Sequence, residues 1–152
     1  MRVSIVMADG IANYDPSKGS LYFGESTNEG TLSTRVLAIK DLLTQSHIPH
    51  HIPQDMIHAM WFKYMCNVGE NLTSALLGIP FGALHTSEHA KFIRQNAMRE
   101  VLAVANKLGI NLTEEEIALQ ENTIVNLPFY NKPSTLQDLE HNHKAITIFH
   151  RH

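Results

Sequence analysis

Three observations predict a mainly α-helical protein with a small α/β part at its N-terminal end. Short runs of β-type residues stop before residue 54, apolar residues then recur at helical spacing, and helix-boundary residues bracket the later segments. In the first part "RVSIVMA" reads as a strand, "DPSKGS" as a turn and "SLYFGE" as a second strand with alternating apolar positions. A hairpin is their simplest pairing. Ser33 or Thr31 can cap a helix running to about Ser46, with Leu37, Leu42 and Leu43 on its apolar side. The extended, proline-bounded "HIPHHIP" follows, and the division is placed there, as 1–53 and 54–152. Helices are then expected over Gln54–Leu77 and over Glu88–Leu108, the second closed by Gly109. Another is opened by the capping box of Thr113 with Glu116, and a short one begins where Ser134 and Gln137 have capping-box spacing.

Composition narrows the function. The chain of 152 residues is 43% hydrophobic and 18% charged with a net charge of −3, which suits a folded chain with a sizeable core. Its Lys and Arg are scattered, so no footprint for a phosphate backbone stands out, and nucleic acid is not an expected partner. The single cysteine, Cys66, leaves no internal disulfide framework, and "MRVSIVMADG" is too short an apolar run for a signal peptide; a reducing, cytoplasmic setting is expected. "LTSALLGIPFGAL" is broken by Gly78, Pro80 and Gly82, short of the ~20 apolar residues of a membrane span, so no membrane is expected either.

The stretch "WFKYMCNVGEN" holds the chemistry, with Lys63, Asn67 and Asn71 at steady four-residue steps. At roughly 100° per residue, Lys63, Asn67, Glu70, Asn71 and Ser74 share one arc, and Trp61, Met65, Val68, Leu72 and Leu76 gather opposite. One reading is the solvated face of an amphipathic helix. Asn has poor helix propensity, however, and two at successive turns suit a cleft better than a water-facing surface. Each offers an acceptor and a donor, so a lysine beside them can grip a small molecule carrying carboxylate, carbonyl and hydroxyl groups. The three are expected to line one cleft.

"WFKYMCNVGENLTSALLGIPFGAL" resembles the signature helix of the ketopantoate reductases, with Trp, then Lys, then Asn four and eight residues on. "GSLYFGE" and "IPQDMIHAMW" resemble the end of that family's nucleotide-binding domain; "REVLAVANKLGINL" and "NKPSTLQDLE" resemble its helical C-terminal domain. The resemblance runs to about Glu140. It implies an incomplete Rossmann remnant followed by a helical substrate-binding and dimerisation bundle, and NADPH-dependent reduction of 2-dehydropantoate, a small 2-keto acid, on the way to pantothenate and coenzyme A. It also implies Lys63 as general acid, its ammonium polarising the ketone and protonating the developing alkoxide. Asn67 and Asn71 would orient substrate, Ser134 would contact it, and Asn131 sits at a further polar position of the same loop. For Ser134 a plain helix N-cap is the other reading, and the two roles can coexist.

The chain also departs from that pattern. No G-x-G-x-x-G stands near its start, nor the family's later Asn-Gly segment, so it is expected to begin inside the nucleotide-binding domain and not to bind NADPH by itself. Phe81 stands where an asparagine precedes Gly82 in the family. Ala145 and Ile146, in "HKAITIFHRH", stand where the family has Thr-Glu-Ile, so its functional glutamate is missing. The fragment is therefore expected to be inactive in turnover, with a non-catalytic helical dimerisation or ligand-binding module as the alternative. Apolar faces on "VSIVMA", around Leu102–Leu108 and at Ile146–Phe149 argue for a homodimer.

Other signals are weaker. Ten histidines invite a metal, but "HIPHH", "HNH" and "HRH" lack the spacing of a ligand set, and none is expected. Cys66 reads as a small core residue, and Met56, Met60 and Met65 as a packing stripe.

Overall fold

The computed structural model describes the backbone of residues 5–8 and 11–14 and the whole of residues 19–141. The chain forms two compact units, Met1–Ala59 and Met60–His152.

In the first unit β1 (Ile5–Ala8) pairs antiparallel with β2 (Ile11–Tyr14), Ala8 opposite Ile11. Their partner is therefore not "SLYFGE", as the simplest hairpin would have it. Asp9-Gly10, between the two strands in sequence, is the dipeptide that favours a two-residue hairpin, and it acts over a shorter distance than any alternative. Instead β3 (Leu21–Tyr22) runs parallel to β4 (His50–His51), with α1 (Thr34–Gln45) as the crossover that parallel pairing requires. Ser33 caps α1, its Oγ accepting from Val36 N at 3.2 Å. Val36 is the buried residue of α1, whereas Leu37 and Leu42 are exposed, a correction to the apolar side expected from spacing alone.

The helix predicted over Gln54–Leu77 is one continuous rod of three parts. It comprises α2 (Met56–Cys66), a π-helical turn (Asn67–Leu72) and α3 (Thr73–Leu77), and all residues at the junctions keep right-handed helical dihedrals. Asp55 starts it, its Oδ1 accepting from His58 N at 2.8 Å. Gly78, at φ 65°, ends it in the left-handed conformation that glycine tolerates. Then come α4 (Phe81–Thr86), which periodicity did not reveal, α5 (Glu88–Lys107), α6 (Glu114–Val125) and α7 (Ser134–Glu140).

Within the second unit α5 is the organising helix. Ala90, Arg94, Met98, Val101 and Ala105 recur at three- and four-residue spacing and are its buried face. Met98, Val101 and Ala105 meet Met65, Leu112 and Ile117, while Ala90 joins Leu84 and Ile124 in a second cluster. A Schellman motif closes α5: Ile110 N donates to Ala105 O at 2.9 Å and Gly109 N to Asn106 O at 3.1 Å, with Gly109 at φ 81°. At α6 the Glu116 carboxylate accepts from Thr113 N at 3.0 Å, as its capping-box spacing predicts. Ser134, by contrast, is not an N-cap. Pro133 holds that position with extended dihedrals, and Ser134 is the first helical residue. No helix among the described residues is long and apolar enough to cross a membrane.

Candidate functional site

The π turn decides how the lysine–asparagine row is presented. In an α-helix a four-residue step overshoots one turn by roughly 40°, so a row at that step drifts around the axis. The i→i+5 bonding of a π turn widens the turn and lets four-residue steps stay close to one line. Both rows in this rod obey that period. Met65, Gly69 and Thr73, beside Cys66, Glu70 and Ser74, form its buried stripe. Lys63, Asn67 and Asn71 run alongside, the lysine exposed and the two asparagines half-buried.

The arc drawn at uniform α pitch is corrected by this geometry. Glu70 and Ser74, placed by that arc with Lys63, are buried, and Leu76, placed on the apolar side, is 80% exposed. The wider turn rotates the face of α3 relative to that of α2. Polar partners then complete the burial. Gln120 on α6 donates Nε2–H to Glu70 Oε1 at 2.7 Å, and Ser74 Oγ donates to Ile79 O.

Close beneath lies Arg94 of α5, fully buried. It pairs with Glu121 and contacts Met98 Sδ at 3.9 Å, and its Nε has no hydrogen-bond partner among the described residues. Burial pushes the guanidinium's pKa below its ordinary value, and the Glu70 and Cys66 side chains work against that shift. A buried arginine is costly unless paired, so the glutamates at its side are structural requirements. Nothing in the periodicity of α5 singles Arg94 out. The only available sign was a charged residue in register with Ala90, Met98 and Val101.

Lys63 takes part in no ion pair, and Asn67 and Asn71 in no side-chain hydrogen bond, among the described residues. The helix α7 packs on the π turn and on α3, which brings the helix opened by Ser134 onto the turn that carries both asparagines. Asn131 lies just before it. Its backbone is tied down, the O accepting from Phe81 N at 2.9 Å and the N donating to Pro128 O at 3.0 Å, while its exposed side chain borders a shallow polar cleft of about 290 Å³. Tyr130, Lys132, Gln137, Glu140 and His141 complete that cleft. Ser134 is itself exposed. No group of three His, Cys, Asp or Glu side chains among the described residues is placed to hold a metal.

The family model for the C-terminal part of ketopantoate reductase (PanE/ApbA) matches residues 55–145, more than half of the chain. The chain belongs to the ketopantoate reductase family. No curated protein sequence matches it significantly. Among solved structures, the dimeric ketopantoate reductase of Staphylococcus aureus superposes with a TM-score of 0.79 at 17% identity, over 95% of this chain and 48% of that one. The 2-dehydropantoate 2-reductase of Methylococcus capsulatus gives 0.65 at 26% identity, over 76% of this chain and 37% of that one. A family member from Ralstonia eutropha gives 0.72 at 22%, over 93% and 45%. The chain thus spans less than half the length of the reductases it resembles, and over that span its mainly helical fold matches theirs.

Ketopantoate reductases use NADPH, and its pyrophosphate needs a helix N-terminus approached by glycine-rich backbone. The described residues of the small unit offer no such glycine-rich turn at a helix start. At the start of α1, Glu25 Oε1 accepts from Ser33 Oγ at 2.9 Å and Oε2 pairs with Arg35 at 2.6 Å, so this helix N-terminus already carries a carboxylate and is a poor anion site.

Proposed function

We propose that the helical part of the chain, residues 54–152 in the division read from sequence, binds a small 2-keto acid of the 2-dehydropantoate type. Lys63 stands at the keto oxygen, and Asn67, Asn71, Asn131 and Ser134 bind the remaining oxygens. One observation carries this reading: a lysine without a carboxylate partner and two half-buried asparagines without side-chain hydrogen bonds among the described residues, aligned on one rod, in a family that acts on such a molecule. The ammonium polarises the carbonyl and can donate a proton to an alkoxide formed there. The amides supply paired donors and acceptors that fix the ligand's orientation. In the family NADPH supplies the hydride. The carboxylate at the start of α1 argues against a dinucleotide there, and ligand binding, not turnover, is the activity assigned to this chain by itself.

We assign the homodimer to the same part of the chain. The Staphylococcus aureus relative is dimeric, and Val104 of α5 and Leu108 just after it are large apolar residues more than half exposed.

Calorimetric titration of the purified chain with 2-dehydropantoate tests the assignment. Saturable binding that weakens about tenfold or more in Lys63→Ala and in Asn71→Ala is the expected result, equivalent to about 1.4 kcal/mol. Binding that survives both substitutions unchanged would place the ligand elsewhere.

A further inference from the structure

Glu70 has no place in the ligand site proposed above, yet it lies in the same turn as both asparagines and is buried. A buried carboxylate is costly unless compensated. Here the compensation comes from two other helices, through the 2.7 Å hydrogen bond from Gln120 on α6 and the charge of Arg94 on α5. Arg94 is in turn paired with Glu121 of α6, which also receives Gln95 Nε2 at 3.2 Å, with the Lys91 ammonium 3.8 Å away. Gly69, next to Glu70, lets α5 approach so closely that an added Cβ would lie 2.3 Å from Met98 Cγ. The inner side of the π turn is therefore gripped by polar contacts and by steric fit, and its flank carries Asn67 and Asn71.

An α-helical alternative for residues 67–72 would rotate Glu70 away from Gln120 and leave the Arg94 charge without its second carboxylate. It would also turn Asn71 out of line with Lys63, by the drift of a four-residue step at α pitch. Unpaired buried charge is strongly penalised, so the network favours the wide turn. We infer that Glu70, Gln120 and Arg94 are positioning residues: their buried network holds the 67–72 turn in its π form and thereby sets the alignment of Asn67 and Asn71 with Lys63. The effect on ligand affinity rests on the 2-keto acid reading; the effect on the turn does not.

The test compares Glu70→Ala, Gln120→Ala and Glu70→Gln in the full chain, the last keeping the side-chain length and a partner for Gln120. Backbone NOEs and carbonyl shifts of residues 67–73 report the turn, and titration with 2-dehydropantoate reports the site. The α-type pattern is expected in Glu70→Ala and Gln120→Ala, with roughly tenfold weaker binding, while Glu70→Gln keeps the π pattern and binds within about threefold of the parent chain. Ile117→Val, a core truncation outside the network, lowers the urea midpoint and leaves affinity unchanged, which separates positioning from general loosening. If Glu70→Ala does not fold, Gln120→Ala decides, because it keeps both charges. Persistence of the π pattern in the alanine variants that fold would overturn the inference. Should the parent chain bind no 2-keto acid, the proposed function fails, and the NOE pattern still decides whether the network sets the turn.

Discussion

Gly69 and Met98 meet so closely that a Cβ on the glycine would stand 2.3 Å from the methionine Cγ and 3.3 Å from Arg94 O. Met98 is fully buried and has little room to withdraw. Gly69→Ala gains about 1 kcal/mol of helix propensity but incurs overpacking of about 1–3 kcal/mol. Net destabilisation of about 1 kcal/mol is expected, seen as a lower urea midpoint with an unchanged slope. A variant more stable than the parent would show that the two helices separate more easily than this contact implies.

Lys63 is exposed and makes no ion pair among the described residues, so its removal has little structural consequence. Lys63→Ala is expected to change unfolding free energy by no more than about 0.5 kcal/mol while weakening 2-keto acid binding. Stability and affinity measured on the same sample separate the two. A large stability loss would mean that the side chain is part of the packing and not of a ligand site.

Turnover should be absent from the purified chain. With NADPH and 2-dehydropantoate both in excess, no decline in nicotinamide absorbance above the buffer rate is expected, because the N-terminus of α1 already carries the Glu25 carboxylate and is a poor anion site. Sustained oxidation of NADPH would contradict this directly.

Gly82 lies under the ring of Phe129, and an added Cβ would fall 2.1 Å from a ring carbon. Gly82 N also donates to Phe129 O at 2.9 Å, which ties the loop bearing Asn131 to α4. The ring is partly exposed and can swing away, so Gly82→Ala is expected to move the loop more than it destabilises the fold. Amide shifts at residues 129–132 and a few-fold loss of affinity for the 2-keto acid would accompany it. Unchanged shifts in that loop would count against the coupling.

Glu25 titrates below the ordinary carboxylate range, chiefly through its hydrogen bond from Arg35 and then that from Ser33. A folded-state pKa lowered in this way adds stability above the ordinary carboxylate pKa, and that stability is lost as pH falls through the lowered value. Carboxyl NMR titration should find Glu25 low in the parent chain and moved upward in Arg35→Ala. An identical titration in the two proteins would remove Arg35 as the cause.

For self-association, sedimentation at micromolar concentration should show a dimer, and a polar substitution at Leu108 should weaken it if the exposed end of α5 takes part. A clean monomer would exclude the dimer assignment. The apolar stretch Ile146–Phe149, one of the faces from which the sequence argues for a homodimer, lies outside the described residues.

Where structure depends on neighbours in the chain, the residues themselves were sufficient. The Ser33 cap, the Thr113–Glu116 box, the Gly109 terminus and the four-residue row of Lys63, Asn67 and Asn71 are each set by contacts spanning a few positions. Strand pairing was a tertiary outcome, because β3 finds its partner only after α1 has brought His50–His51 back beside Leu21–Tyr22. The start of α7 is local, but adjacent Pro133 takes the cap position and shifts it by one residue from the Ser134 reading. The π turn is the clearest tertiary case. Uniform α pitch puts Glu70 and Ser74 with the asparagines, but packing against α5 and the carboxylate's pairing with a glutamine 50 residues away put them inside. Periodicity describes an isolated helix with one pitch. A buried charge drawn to partners on two other helices can change that pitch, and no local pattern records where those partners will stand.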